Sequence, residues 1–556
     1  MEKIFFTRRQ RFWNGFVAGL GAGIIATILM LLLSLTFNGL SLPEVFGSAL
    51  TQLMPPSLFN TLHTLIGGDA KHYFFYCIIV GQCLVFALSG GLCTLVVGML
   101  KAEKTGQEML HWTAGVVLTL VLLLVTGLVL LPITGVGLFG ADLVIGAVNS
   151  SVSLAVIGIV FGGAFVLLQN QLIERRVRLL HAPVEVQTKG VARREVIIRG
   201  VQLVGLGALG VLAWRFITGA GNLASSGAGG TSTTTAPGIL KGYQKKISPV
   251  PTPNYGDVQQ VPLFSKEITT NEQYYIVSKN LFSDPSVNGD TWHLSVTGEI
   301  EHPFSLNYKD LLTLSTKKQY ESMMCISNEV GGQYMSSALW EGIPLADLLA
   351  RGGAIKPGAT KVVLYAVDDY SDSIHLAKAL EPTTLLALRM NGITLPQGHG
   401  FPLRLLVPGI YGMKHVKWIN RIEVVNTDFQ GYWQQRGWSD PAPLRMTSRI
   451  DVPLTGATVQ ANKPTFIAGV AFSGDKGISE VDISLDNGQT WNKATLKRPL
   501  SALTWVLWEL PWQPNAGTYT VVVRAIDLQG NVQDPSIAPP LPDGSSGYHS
   551  IQATVK

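Results

Sequence analysis

Asn391-Gly392-Ile393-Thr394-Leu395-Pro396-Gln397-Gly398-His399-Gly400-Phe401-Pro402-Leu403-Arg404-Leu405-Leu406-Val407-Pro408-Gly409-Ile410-Tyr411-Gly412-Met413-Lys414-His415-Val416-Lys417-Trp418 is the stretch on which the reading of this chain turns. Glycines and prolines punctuate a short apolar strand. His399, Arg404, Lys414, His415 and Lys417 all fall on it or beside it. Basic groups next to turn glycines make an anion cradle, because backbone N–H groups and cations converge there. The plainer alternative is a solvated basic loop.

The second informative stretch is Met323-Met324-Cys325-Ile326-Ser327-Asn328-Glu329-Val330-Gly331-Gly332. Of the four cysteines, Cys77, Cys83 and Cys93 share one apolar run, which leaves Cys325 alone in the polar C-terminal half. A thiol without a disulfide partner is core filler, a nucleophile or a metal ligand. Zinc wants three or four Cys or His ligands, and none stands near Cys325 at ligand spacing. A cysteine hydrolase has only the lone thiol in its favour. A soft, high-valent metal held mainly by an external sulfur ligand needs just one protein thiolate. Molybdenum on a pterin dithiolene meets that description, and its phosphate and ring edges would need the cations and N–H groups of a cradle.

Working outward, the 556-residue chain carries a net charge of +5 with 14% charged residues. The excess lies in short segments beside long apolar runs, a membrane-anchor distribution that excludes nucleic acid as the expected partner. Runs at about 13–37, 73–100, 111–132, 143–169 and 196–217 are long enough to cross a bilayer. Lys and Arg cluster at the N-terminus, at 101–104 and at 175–199, but hardly at all in the alternate loops. That asymmetry predicts a cytoplasmic N-terminus and, after five spans, a C-terminal half outside the cytoplasmic membrane. Arg193-Arg194, followed by Val196, Ile197 and Arg199, also resembles a twin-arginine export signal, with a positive-inside flank as the alternative. Gly205-Leu206-Gly207-Ala208-Leu209-Gly210 follows no strand, so it reads as a packing face and not as a dinucleotide fingerprint. No haem is predicted: C-x-x-C-H is absent, and His63, His72 and His111 lie in a loop or at span ends.

Residues 1–218 therefore read as a membrane region of about five helices, and 219–262 as a flexible Gly/Ser/Thr/Pro linker. Residues 263–447 read as an α+β domain, with strands at 292–296 and 361–367 and a short helix at 345–351 stopped by Gly352-Gly353. Residues 448–556 read as an immunoglobulin-like β-sandwich, with strands at 465–472, 479–485, 505–510 and 518–525. Asp486-Asn487-Gly488 marks a hairpin turn, and the core is expected on Trp491, Trp505, Trp508 and Trp512.

The stretch N-G-x-x-L-P-x-x-H-G-F-P-L-R-L-x-V-P-G-x-Y-G-x-K-x-V-K-W resembles the hallmark of the sulfite oxidase family of molybdopterin enzymes. Cys325-Ile326-Ser327-Asn328 with Trp340-Glu341-Gly342-Ile343-Pro344-Leu345 resembles that family's molybdenum-cysteine region. The sandwich, with Gly477-Ile478-Ser479, Asp486-Asn487-Gly488 and Trp491, resembles its dimerisation domain. The likeness covers about 265–556. It implies Cys325 as the thiolate ligand of molybdenum. Asn328, His399, Arg404 and Lys417 are implied as cofactor-binding residues, with Lys414 and His415 contributing through backbone N–H groups. It also implies a homodimer through the C-terminal domain.

Three departures bear on the substrate. Lys279, in Tyr274-Tyr275-Ile276-Val277-Ser278-Lys279-Asn280, is the nearest counterpart of an arginine in the family, and lysine cannot grip an oxyanion bidentately. Trp438, in Trp433-Gln434-Gln435-Arg436-Gly437-Trp438, stands where the family has an active-site tyrosine, and it offers no acidic hydroxyl. Glu329 follows Asn328 where sulfite oxidases often have arginine. The expectation is a membrane-bound oxidoreductase that transfers two electrons with an oxygen atom. Its partners would be lipid, a small-molecule substrate (an oxyanion or an S-oxide or N-oxide) and a separate electron carrier. Reduction of an S-oxide or N-oxide is the alternative direction, and a non-enzymatic cell-surface binding protein is the alternative class.

Overall fold

In the computed structural model, residues 6–37, 39–54, 58, 70–101, 110–141, 143, 145–180, 251–280 and 284–556 are described. The fifth apolar run at 196–217, the Arg193-Arg194 pair and linker residues 219–250 lie outside them. The chain divides into two compact units, one built on the N-terminal helices and one holding Asp284–Lys556.

The first unit contains α1 (Arg8–Phe37), α2 (Leu42–Leu53), α3 (Ala70–Lys101), α4 (Trp112–Val125) and α5 (Gly146–Leu180). After α4 the chain continues through a π-turn at Thr126–Leu130 into Leu131–Ile133. Among the described residues four segments are long and apolar enough to cross a membrane: Arg8–Ser34, Tyr73–Met99, Trp112–Ile133 and Gly146–Arg176. They coincide with the first four runs read from the sequence. The short α2, which the hydropathy reading passed over, begins at Leu42 with a proline in its first turn.

Small residues set the helix packing. A Cβ on Gly15 of α1 would collide with Gly90 and Thr94 of α3, and Thr94 Oγ1 donates to Arg11 O at 2.9 Å. Gly115 of α4 meets Gly162 of α5 in the same way, and Thr119 Oγ1 donates to Gly158 O at 2.7 Å beside it. Close backbone approach of this kind is the usual source of attraction between helices in lipid. Ala18, Ala22, Leu118, Phe161 and Phe165 fill the interior, whereas Val116, Val117, Leu120 and Val152 face outward.

The second unit is richer in β-structure than an even α+β mixture. Its first sheet runs in the order Phe304–Asn307, His293–Gly298, Ile419–Val425, Lys361–Ala366, Ser371–His375. His293–Gly298 and Ile419–Val425 are parallel and the other pairs antiparallel. A second, antiparallel sheet holds Lys317–Met324, Met335–Pro344, Leu385–Met390 and Ile393–Thr394, with Arg404–Leu406 paired to Leu385–Met390. The helices Tyr308–Leu312, Leu345–Ala350 and Leu376–Ala379 span only one or two turns. The middle one ends before Gly353, whose φ of +80° suits glycine. Leu294, Val296, Val362, Leu364, Leu405 and Ile422 form a core between these elements.

Beyond residue 446 two further sheets enclose one core. The first has the order Thr447–Val452, Thr465–Phe472, Val506–Trp512, Thr495–Leu496. The second has Thr458–Val459, His549–Val555, Gly517–Asp527, Ile478–Ser484, Asn492–Lys493. The strands read from alternation recur within a few residues, and Asn487 and Gly488 take the left-handed conformations a tight hairpin turn requires. Of the tryptophans expected to make the core, Trp508 and Trp512 do so. Trp505 and Trp491 do not belong to that cluster. Trp505 Nε1 donates to Glu267 O at 3.2 Å, and Trp491 lies under the Arg524 guanidinium at 4.2 Å. The end of the expected linker is also tied down, with Gly256 N donating to Leu496 O and Gln259 N to Glu509 Oε2.

Overpacking a close helix contact costs about 1–3 kcal/mol. Gly115→Val should therefore lower the thermal midpoint of the detergent-purified protein, whereas Gly81→Val, which meets nothing within 4 Å, should leave it unchanged. Equal midpoints would contradict the Gly115–Gly162 contact.

Candidate active site

Strand Lys317–Met324 runs through the interior and delivers Cys325 at its end, and the chain turns back into Met335–Pro344. The turn is closed by Cys325 N donating to Tyr334 O (2.9 Å) and Asn328 N donating to Cys325 O (3.1 Å). The Asn328 side chain completes it, accepting from Tyr334 N at 2.8 Å. Cys325 is 7% exposed, and its Sγ lies 3.0 Å from Ser327 Oγ. Burial pushes the thiol up, and the Ser327 hydrogen bonds oppose it.

Arg404 lies on the short strand Arg404–Leu406 and is buried. Its Nη1 donates to His399 O (3.1 Å) and its Nη2 contacts Met323 Sδ (2.9 Å), which joins the basic stretch to the cysteine segment. Its Nε has no partner, and among the described residues no carboxylate lies within ion-pair distance. The nearby Glu321 does not compensate, because burial pushes its carboxyl up to about 8 against the pull of Gln319 and Arg404. A buried guanidinium without a counter-anion is costly and is relieved by an anionic ligand.

His399 completes the arrangement. Its Nε2–H donates to Asn271 O at 2.7 Å, so Nδ1 carries a lone pair, and Nδ1 is buried without a partner. Burial holds the ring near pKa 4, so it is neutral at pH 7. The hydroxyls of Tyr274 and Tyr275 are also buried and unpartnered. Tyr274 meets the His399 ring edge-on at 5.5 Å, and a Cβ on Gly412 would lie 2.7 Å from the Tyr275 hydroxyl and 3.2 Å from Met324 O. Lys417 Nζ donates to Gly398 O at 3.2 Å and sits 4.0 Å over the Trp418 ring. Gly400, with φ at +118°, lets that turn press between Lys417 and Arg404. One buried cation, one bare acceptor and two buried hydroxyls fit a phosphate-bearing heterocycle with polar ring edges.

Four other expected residues make contacts of their own. Lys414 is no part of this cluster: its ammonium binds Asp372 (2.7 Å), Asp440 (3.0 Å) and Ser373 O (2.9 Å). Its backbone N–H is taken by Tyr411 O, and that of His415 by Gly412 O. The His415 ring is a strut, accepting from Val407 N at 3.3 Å and donating to Ile410 O at 3.2 Å. Burial lowers it to about 3, so its 3.9 Å approach to Glu321 is not an ion pair. Lys279 and Trp438 share an aromatic cluster instead. Lys279 lies 5.6 Å over Tyr432, which meets Trp433 edge-on at 4.9 Å, and Trp433 stacks on Trp438 at 4.1 Å. Tyr274, Tyr275 and Glu321 were missed by the sequence reading. The pair of adjacent tyrosines was visible, but nothing local marks their hydroxyls as buried.

Glu321 ties this geometry to pH. Below its ordinary 4.5 it is protonated in the folded and the unfolded chain alike; between there and about 8 only the unfolded chain ionises, so stability falls as pH rises through that window. Glu321→Gln removes the penalty. Its gain in thermal midpoint over the parent should be small at pH 5 and several degrees at pH 8, and a gain independent of pH would contradict the neutral carboxyl.

Residues 282–433 match the family model of the oxidoreductase molybdopterin binding domain, and residues 442–539 that of the Mo-co oxidoreductase dimerisation domain. The chain is 34% identical to human mitochondrial sulfite oxidase over 320 residues, which cover 49% of this chain and 58% of that protein. It is 32% identical to the sulfite oxidase of Arabidopsis thaliana over 305 residues, 44% of this chain and 77% of that one. Among solved structures it is similar to the sulfane dehydrogenase SoxCD of Paracoccus pantotrophus, with a TM-score of 0.46 and 20% identity over 55% of this chain and 90% of that one. The chain thus spans rather more than half the length of its mammalian relatives and about three quarters of the plant one. The cofactor these matches indicate is molybdenum-molybdopterin, and the buried donors and acceptors around Arg404 and His399 fit it. This chain belongs to the sulfite oxidase family of molybdopterin-dependent oxidoreductases.

Proposed function

We propose that this protein is a membrane-anchored oxidoreductase whose molybdenum site lies outside the cytoplasmic membrane and carries out two-electron oxygen-atom transfer. The observation that carries the reading is the uncompensated Arg404 guanidinium, joined through Met323 to the segment that ends at Cys325. Residues 263–447 are the catalytic domain in this reading, and 448–556 an immunoglobulin-like domain through which two copies pair.

When bound, molybdenum on its pterin dithiolene supplies a two-electron couple and oxygen exchange with water. Cys325 would hold it through a thiolate, since a coordinated thiol is deprotonated outright and the burial penalty on the free thiol is offset. Ser327 Oγ, 3.0 Å away, would then donate to that sulfur. Arg404 would hold the phosphate, His399 Nδ1 would accept from a ring N–H, and Lys417 would add positive charge at the rim. Asn328 acts by closing the loop. Electrons pass to a separate carrier. The Lys279–Tyr432–Trp433–Trp438 cluster would face the substrate.

Reduction of an S-oxide or N-oxide is the second reading. It draws support from the stacked Trp438, which has no acidic hydroxyl, and from the exposed Glu329 next to Asn328. Both disfavour a small dianion relative to a neutral oxide.

Metal and pterin analysis of protein from a cofactor-competent host should find one molybdenum and one pterin per chain. Arg404→Gln should lower the retained cofactor roughly tenfold or more. Unchanged retention would remove Arg404 from the site, and no molybdenum in the parent would end the proposal. Turnover with sulfite and with methionine sulfoxide decides the direction. Changing Arg193 and Arg194 to Lys should leave the catalytic half protected from protease added outside the cell. Normal accessibility would contradict export through that pair.

A further inference from the structure

The loop that carries Cys325 is held from one side by its own strands and from the other by the C-terminal two-sheet region. Arg449, on strand Thr447–Val452, donates through Nη1 to Gly332 O at 2.9 Å. That guanidinium is fixed in turn by Asp451 Oδ1 (2.6 Å, from Nε) and Ser265 Oγ (2.8 Å, from Nη2). Ser545 Oγ donates to Asn328 O at 2.7 Å. The His549 ring accepts from Ile450 N at 2.9 Å and lies where any Cβ on Gly331 would run into it, and Gly331 has φ at +77°. Two carbonyls and one glycine of a ten-residue loop are thus gripped by residues far away in sequence. The same loop contains the Asn328 bond to Tyr334 N and the Cys325–Tyr334 bond that set where the sulfur points.

We propose that Arg449, Ser545 and His549 are positioning residues for the Cys325 sulfur, so that the C-terminal region sets the geometry of the catalytic loop besides any role in pairing two copies. This rests on the reading of Cys325 as the metal ligand. Asn328 is the lever: its carbonyl is held by Ser545 and its side chain closes the loop, so releasing the first loosens the second. A carbonyl grip of this kind fixes a ligand as a hydrogen-bonded outer partner fixes a metal-bound histidine.

The test uses the full-length, cofactor-loaded protein with Ser545→Ala, Ser545→Thr, Arg449→Gln and Cys325→Ala. Three readouts are taken: kcat, the thiolate-to-metal absorption band per molybdenum, and hydrogen exchange at the amides of residues 325–334. Ser545→Ala should lower kcat roughly 10–100-fold. It should also shift the band and speed exchange in the loop, with the thermal midpoint nearly unchanged. Ser545→Thr, which keeps the hydroxyl, should restore all three. Arg449→Gln should resemble Ser545→Ala, but it removes a buried charge, so if it fails to fold Ser545→Ala decides alone. Unchanged kcat, band and exchange in Ser545→Ala would overturn the proposal. A band that survives Cys325→Ala would overturn the reading beneath it instead, and the two failures are told apart by which variant produces them.

Discussion

The buried guanidinium of Arg404 organises the catalytic region. It contacts His399 O and Met323 Sδ, so the basic stretch and the cysteine strand meet at one side chain. No carboxylate in the described residues balances it, and the nearest candidate, Glu321, is kept protonated by its own burial. A buried charge of this kind is costly, and an anionic ligand relieves the cost. The bare Nδ1 of His399 and the unpartnered hydroxyls of Tyr274 and Tyr275 face the same requirement in polar form. Together they fit a polar, anionic group better than an ordinary core.

Much of this was legible in the sequence because the signals are local. Four long apolar runs announced four helices, and alternating segments bounded by Gly and Asn turns announced the C-terminal strands. The lone thiol and the strand with His399 and Arg404 were marked by residue type alone. The side-chain partners of Lys414 and His415 were not legible, because a sequence displays a charge but not its partner. Asp372 and Asp440 reach Lys414 from separate parts of the chain, and the ring of His415 is consumed by the Val407 N–H on one nitrogen and the Ile410 carbonyl on the other. The short helix expected at 345–351 is Leu345–Ala350, and the short helices of this region serve as turns between strands. Trp491 and Trp505 were placed in a core that Trp508 and Trp512 make by themselves, because composition does not say on which face of a sheet a tryptophan lies.

The N-terminal unit obeys a different physics. Its helices meet through Gly15, Gly90, Gly115 and Gly162 and present valine and leucine outward. The second unit buries those residue types and, Arg404 apart, pairs charges such as Arg449 with Asp451 and Arg524 with Asp482. One chain thus joins four helices long and apolar enough to cross a membrane to a β-rich body with a buried polar site.

The account stands on Cys325 as the protein's own ligand to molybdenum. X-ray absorption at the molybdenum edge of the purified full-length protein tests that directly. Two sulfurs would come from the dithiolene and one from the chain, so Cys325→Ala should retain the pterin sulfurs and lose one sulfur from the metal's shell. An identical sulfur shell in parent and variant would contradict it.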